Sequence, residues 1–244
     1  MQKWMTKFKI GVAIGLLLMF YAPLTNANDQ LLAQADSLYA QKKYSEASKV
    51  YAQLYQQGFF SEATLLKMAF AYEGLGEAGK ALYYLEAYYR ITEDAKTYEK
   101  IKTLANAKNI SGYELSEMDR LLIWASNRKK IYLPVITTVT FFLIALMFFY
   151  TKRKQFNGKI VTGFLSILLI LVTFVSINFI DAPNKAVVIT ESHFMSAPSA
   201  ASNLIRLIPE GNQVKLGREH DIWIEAEWNN EMGYLRKTDL LLNR

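Results

Sequence analysis

The chain has 244 residues, 52% of them hydrophobic and none of them cysteine, a length for one or two small domains beside any membrane segment. The lack of Cys excludes disulfides, thiolate metal sites, iron–sulfur ligation and cysteine nucleophiles, and His193 and His220 are the only imidazoles, so an enzyme is an unattractive reading. The net charge of +6 is local: residues 1–27 hold 3 Lys and no acid, residues 151–159 hold 4 basic residues and no acid, while 28–130 balance at 14 against 13 and 181–244 at 7 against 9. That distribution marks targeting and topology and argues against nucleic acid as a partner.

Residues 1–27 read as a secretory signal, with a basic start, an apolar stretch over 10–21, Pro23 as a breaker and small residues at Thr25 and Ala27. Cleavage after Ala27 is the expectation. An uncleaved anchor is the alternative, and under either reading the chain from Asn28 onward is exported.

Residues 28–95 carry an internal repeat. Leu31 and Leu65, Ala35 and Ala69, Leu38 and Tyr72, and Ala47 and Ala81 recur at one common offset of about 34 residues. Two small residues at fixed places let paired helices approach closely, and large ones (Leu38, Tyr44, Tyr51, Leu54, then Leu65, Tyr72, Leu85, Tyr88) fill the remaining space. This pattern resembles the tetratricopeptide repeat, with Gly76 at the family's turn; the closing Pro is missing from both units, and Ala78 replaces the turn tyrosine in the second. Two units need a cover, which helices over 94–107 and 115–126 supply, joined by a turn at 109–112. In the second of these, Leu115, Met118, Leu121, Leu122 and Trp124 are the candidate packing residues. Tyr83, Tyr84, Tyr88 and Tyr89 cluster on one helix; core packing accounts for most of them, and their spacing turns two outward.

Residues 131–150 and 160–180 are free of charge and long enough to span a bilayer. The basic connection 151–159 makes them a tight hairpin with a cytoplasmic loop, although Arg128, Lys129 and Lys130 on the other flank oppose that orientation. The export signal decides between the two, which places both soluble parts outside the cytoplasm.

From Asp181 onward the pattern alternates. Strands are expected over 186–190, 201–208, 212–216, 222–227 and 231–235, enough for a barrel or a minimal sandwich. The Glu210-Gly211 turn, Trp223 on the fourth strand and the Gly233-Tyr234 pair resemble the bacterial SH3-like barrel.

The tetratricopeptide resemblance implies a partner-binding groove formed by Leu32, Asp36, Tyr39, Leu66, Phe70 and Glu73. The SH3-like resemblance implies Trp223 and Trp228 as surface candidates. His220 beside Asp221 offers two ligands in a turn, short of a metal site. No catalytic residue, cofactor site or metal site is expected. The order of parts (signal, repeats, membrane hairpin, terminal SH3-like unit) resembles the BatE family of the Bacteroides aerotolerance operon. That resemblance implies an inner-membrane protein facing the periplasm and binding other proteins, among them membrane proteins with von Willebrand-type domains. A cell-envelope sensor whose SH3-like unit binds peptidoglycan is the alternative.

Overall fold

The computed structural model describes residues 22–153 and 156–242. Most of the expected signal, and two residues of the basic loop, lie outside them. Among the described residues are seven α-helices followed by one antiparallel sheet of seven strands.

Helices α1 (Ala22–Ala40) and α2 (Tyr44–Gln56) form one hairpin, and α3 (Glu62–Gly74) and α4 (Ala78–Thr92) form a second. The short connections leave each pair antiparallel. Ala35, Ala47, Ala69 and Ala81 are at most 1% exposed, so the small residues of the repeat do sit where helices touch. Tyr51, Leu54, Leu65 and Leu85 fill the space around them. The start of the second hairpin is marked locally: the Ser61 hydroxyl accepts the Thr64 amide at 3.2 Å, an N-cap that satisfies one of the orphan donors of α3. The chain from Ala22 to Ala27, expected to end the signal, has helical backbone continuous with α1.

Helix α5 (Ala95–Ala107) covers the second hairpin with Tyr98, Ile101, Leu104 and Ala105 buried, as the periodicity requires. Helix α6 (Glu117–Lys152) starts at a capping box between Ser116 and Asp119 and runs without interruption from the soluble unit into the first apolar run. At 36 residues it is about 54 Å long. Its first turns bury Ile123, whereas Met118, Leu121 and Trp124 are 62%, 59% and 50% exposed. The expected packing stripe is therefore rotated. Asp119, Leu122, Ile123 and Ser126, spaced by three and four residues, form the less exposed face instead.

Helix α7 (Phe156–Phe179) returns alongside α6, since Gly158 lies against the Tyr150 ring and Gly163 against Met147. Both helices are long and apolar enough to cross a membrane. They extend into the expected nine-residue loop and leave only 153–155 between them. At the other end Lys129 Nζ donates to the Ile177 and Ile180 carbonyls and to Asp181 Oδ1 at 2.9 Å. Arg128 pairs with Glu93 at 2.8 Å. Two of the three basic residues that oppose the orientation are thus matched by carboxylates.

The strands are β1 (Lys185–Val188), β2 (Ser192–Met195), β3 (Leu204–Ile208), β4 (Gln213–His220), β5 (Trp223–Trp228), β6 (Glu231–Arg236) and β7 (Leu240–Leu242), in the order β3-β2-β6-β5-β4-β1-β7. Two of them, β2 and β7, were not among the five expected. The segment expected as a strand from 201 begins only at Leu204, because Ser202 Oγ donates to the Ala197 and Ser199 carbonyls and Ser196 N to Asn203 O, closing a turn. One core takes side chains from all seven strands, from Ile208 on β3 to Leu240 and Leu242 on β7, so the sheet curls until both edges share it.

The sheet rests on α4. Val187, Ala182 and Leu241 belong to the core of the helical unit, and Tyr83 OH donates to the Leu242 carbonyl at 3.0 Å. Of the four clustered tyrosines, Tyr83, Tyr84 and Tyr89 are buried and Tyr88 is half-buried. The expected outward turn of two of them is not found: all four belong to or pack against the helical core, Tyr83 and Tyr84 against Tyr55 of α2 and Tyr89 against Tyr98 of α5, and Tyr83 reaches the sheet as well.

Candidate functional site

The groove residues lie on α1 and α3, the first helices of the two hairpins. The structure joins these helices to each other and to α5 by ion pairs. Asp36 on α1 accepts Lys67 of α3 at 2.7 Å, and Glu73 on α3 accepts Lys100 of α5 at 2.6 Å. Tyr51 of α2 also donates its hydroxyl to Asp36. Partial burial raises the Asp36 carboxyl, but the hydrogen bonds from Lys67 and Tyr51 and the Lys67 charge outweigh it and hold the group below its ordinary value. The same contact, after the effect of burial, pushes the Tyr51 hydroxyl far up, so it stays a donor.

Of the six residues expected in the groove, Phe70 alone is exposed, at 45%, and the other five are half-buried. Leu32, Tyr39 and Leu66 are half-buried and pack against the helical core. The face therefore presents one exposed ring beside two carboxylate–ammonium pairs. Lys67 and Lys100 are the members that the sequence reading missed. Each is legible only once α1, α3 and α5 are known to lie side by side, since 31 and 27 residues separate the partners with no shared period.

On the sheet, Trp223 is only 6% exposed, with the Arg236 guanidinium 5.4 Å from its ring centre. It helps line a small cleft of about 240 Å³ with His193, Met195 and Asp239. Trp228 is half-buried and donates its indole N–H to Ser111 Oγ at 3.0 Å, so it joins the sheet to the helical unit and is not an open platform. His220 stacks edgewise on Tyr234 at 5.6 Å. Among the described residues, no three His, Asp or Glu side chains are arranged to hold a metal.

The densest polar arrangement is the seam between sheet and helices. Ser111 donates from its amide and hydroxyl to Asn212 Oδ1 at 2.9 and 2.7 Å, and its carbonyl accepts Gln213 N at 2.9 Å. Tyr113 OH donates to the Gly211 carbonyl at 2.8 Å. The Gln213 side-chain amide donates to Glu86, and the Arg90 guanidinium to the Pro183 carbonyl. The loop after α5 is thus stitched to the start of β4. Gly112, at φ +96°, presses so close that a Cβ would stand 2.2 Å from Gln213 O. Comparison with known proteins finds neither a family model nor a curated protein that matches the chain.

Proposed function

We propose that the protein is a non-catalytic adaptor held in the bacterial inner membrane by the α6–α7 hairpin, with its helical unit and its sheet together on the periplasmic side. On this reading the hairpins are tetratricopeptide units, the sheet is a bacterial SH3-like unit, and the partners are proteins, including von Willebrand-type membrane proteins of a BatE-type complex. The observation that carries it is the face of α1, α3 and α5. An exposed Phe70 beside the paired Asp36 and Glu73 gives an apolar anchor flanked by charge, the composition of a helix or extended-peptide site. Exposed Met118, Leu121 and Trp124 at the membrane end of the soluble unit supply a second apolar surface for a membrane-held partner.

The test is crosslinking in membranes with the double variant Phe70→Ala, Glu73→Lys, which removes the anchor and reverses one charge without touching the buried alanines. Loss of a central aromatic anchor is worth on the order of 2 kcal/mol, about thirtyfold in affinity. Partner capture should fall by about that factor while the protein remains folded. The cleft beside Trp223 and His193 favours a second reading, an envelope sensor that takes peptidoglycan on the sheet. Capture of wall fragments that survives the groove variant selects it.

A further inference from the structure

Three basic residues stand in a row where α6 leaves the soluble unit, and carboxylates of the chain match two of them. Arg128 is paired with Glu93, and Lys129 with Asp181 and the Ile177 and Ile180 carbonyls. Asp94, next to Glu93 in the chain, is engaged as the N-cap of α5, where it accepts the Lys96 and Thr97 amides. Lys130 is exposed, and among the described residues no carboxylate lies within ion-pair distance of it. Its depth follows from the apolar run beyond it. Residues 131–150 cover about 30 Å of helix, the thickness of the hydrocarbon core of a bilayer. Lys130 is therefore the last charge before that core and falls in the headgroup layer.

A cleft of about 450 Å³ opens beside it, lined by Ser126, Lys129, Lys130, Leu133 and Pro134. The helix sorts this lining by depth. Ser126, Lys129 and Lys130 are at the water end, and Leu133 and Pro134 lie about one turn, roughly 5 Å, further in. Such a cleft matches an amphiphile with an anionic head. A soluble anion would leave the apolar half unfilled, and a zwitterionic headgroup brings its own ammonium to compete for its phosphate. An ammonium and a phosphate oxygen form a charge-assisted hydrogen bond, stronger than a neutral one. We propose that this cleft holds an anionic phospholipid, with Lys130 Nζ donating to the phosphate and the start of the acyl chains along Leu133 and Pro134. Each of the three basic residues on this flank then has one anionic partner: Glu93, Asp181 and the lipid. The proposal rests on α6 and α7 as membrane spans and is independent of which proteins the soluble units bind.

The test places the full chain in phosphatidylcholine vesicles doped with a photoactivatable lipid, phosphatidylglycerol in one sample and phosphatidylcholine in the other, with the same acyl chains. Adducts are located along the chain by mass spectrometry. Those on residues 126–134 should favour phosphatidylglycerol by about fivefold or more, the enrichment expected for one lysine at an anionic surface. Lys130→Gln should bring that ratio close to one, while adducts on the basic loop 151–159 keep theirs as an internal control. A swap, Lys130→Ile with Ile131→Lys, uses two exposed positions, Ile131 being 71% exposed. It keeps net charge and depth but turns the ammonium about 100° round the helix, away from the cleft. The preference should be lost in the swap as well; a preference that survives it is general attraction of charge and overturns the site. Millimolar inorganic phosphate should leave the adducts unchanged, and displacement by it would show a free-anion site in place of a lipid site. Flotation of the vesicles after an alkaline wash separates the two readings. A chain that floats yet shows no preference overturns the lipid site alone, and a chain that does not float overturns the spans and the site together.

Discussion

Gly79 of α4 and Gly211 of the β3–β4 turn meet backbone to backbone: a Cβ on Gly79 would stand 2.7 Å from the Gly211 Cα. Gly211, at φ +89°, donates its amide to the Val188 carbonyl at 2.7 Å, so the turn is held to β1 and has no room to retreat. Two residues without side chains bring the sheet down onto the helix.

This contact reverses an ordinary expectation. Gly→Ala inside a helix usually stabilises by about 0.5 to 1 kcal/mol. Here Gly79→Ala should destabilise, by about 1 to 3 kcal/mol for overpacking against rigid backbone. The melting temperature of the whole protein in detergent decides the sign. Protease cleavage within 181–185 should also rise as the sheet lifts from α4.

Ala47→Leu or Ala81→Leu inserts three carbons where two helices touch, at positions with 0% exposure. The expected loss is again about 1 to 3 kcal/mol. Thermal melts of the complete chain are the suitable measurement, because a helical fragment would leave Tyr83, Glu86 and Tyr113 without the sheet groups they bond. An unchanged midpoint would mean that the helix contact has been misread.

Asp36 gives a pH dependence of definite sign. Its carboxyl is held below the ordinary value in the folded protein, so the unfolded chain binds more protons in the acid range. The stability contributed is complete above about pH 4 to 5, the usual carboxylate range, and is lost as pH falls through the lower folded value. Asp36→Asn should remove that slope and cost on the order of 1 kcal/mol at neutral pH, as for a half-exposed pair. Chemical denaturation of both proteins at pH 7 and pH 3 measures it.

The Lys129–Asp181 pair at the base of the hairpin yields a topology prediction. On the proposed topology, a reporter fused after Arg244 should be active on the exported side, since two membrane crossings would return the chain to the side from which it entered. Asp181→Lys removes the carboxylate matched to Lys129 and adds positive charge on that flank, so the exported fraction should drop. Adding Lys129→Glu restores an opposite-charge pair and should recover it. Full activity of the reporter in the cytoplasm would overturn the orientation.

Periodicity carried most of the secondary structure. The common offset of about 34 residues placed Ala35, Ala47, Ala69 and Ala81, two uncharged runs located α6 and α7, and alternation located β1, β4, β5 and β6. Those signals are local, because a helix or strand that buries one face repeats its apolar residues at its own period. Where a second partner intervened, the local reading slipped. Met118, Leu121 and Trp124 had the spacing of a packed face, but Ile123 is the residue buried against the helical core and those three are exposed.

The sequence by itself determined the kinds of element and their order: paired helices, two apolar spans and a small sheet. The tertiary structure alone decided that the sheet and helices share one seam, that α4 is covered on both sides, and that Asp36 and Glu73 face ammonium groups of neighbouring helices. Glu86 and Gln213 are 127 residues apart, and Ser111 and Asn212 are 101 apart. Such pairs repeat with no period. Each is a single polar match, which becomes favourable only after both surfaces have been removed from water together.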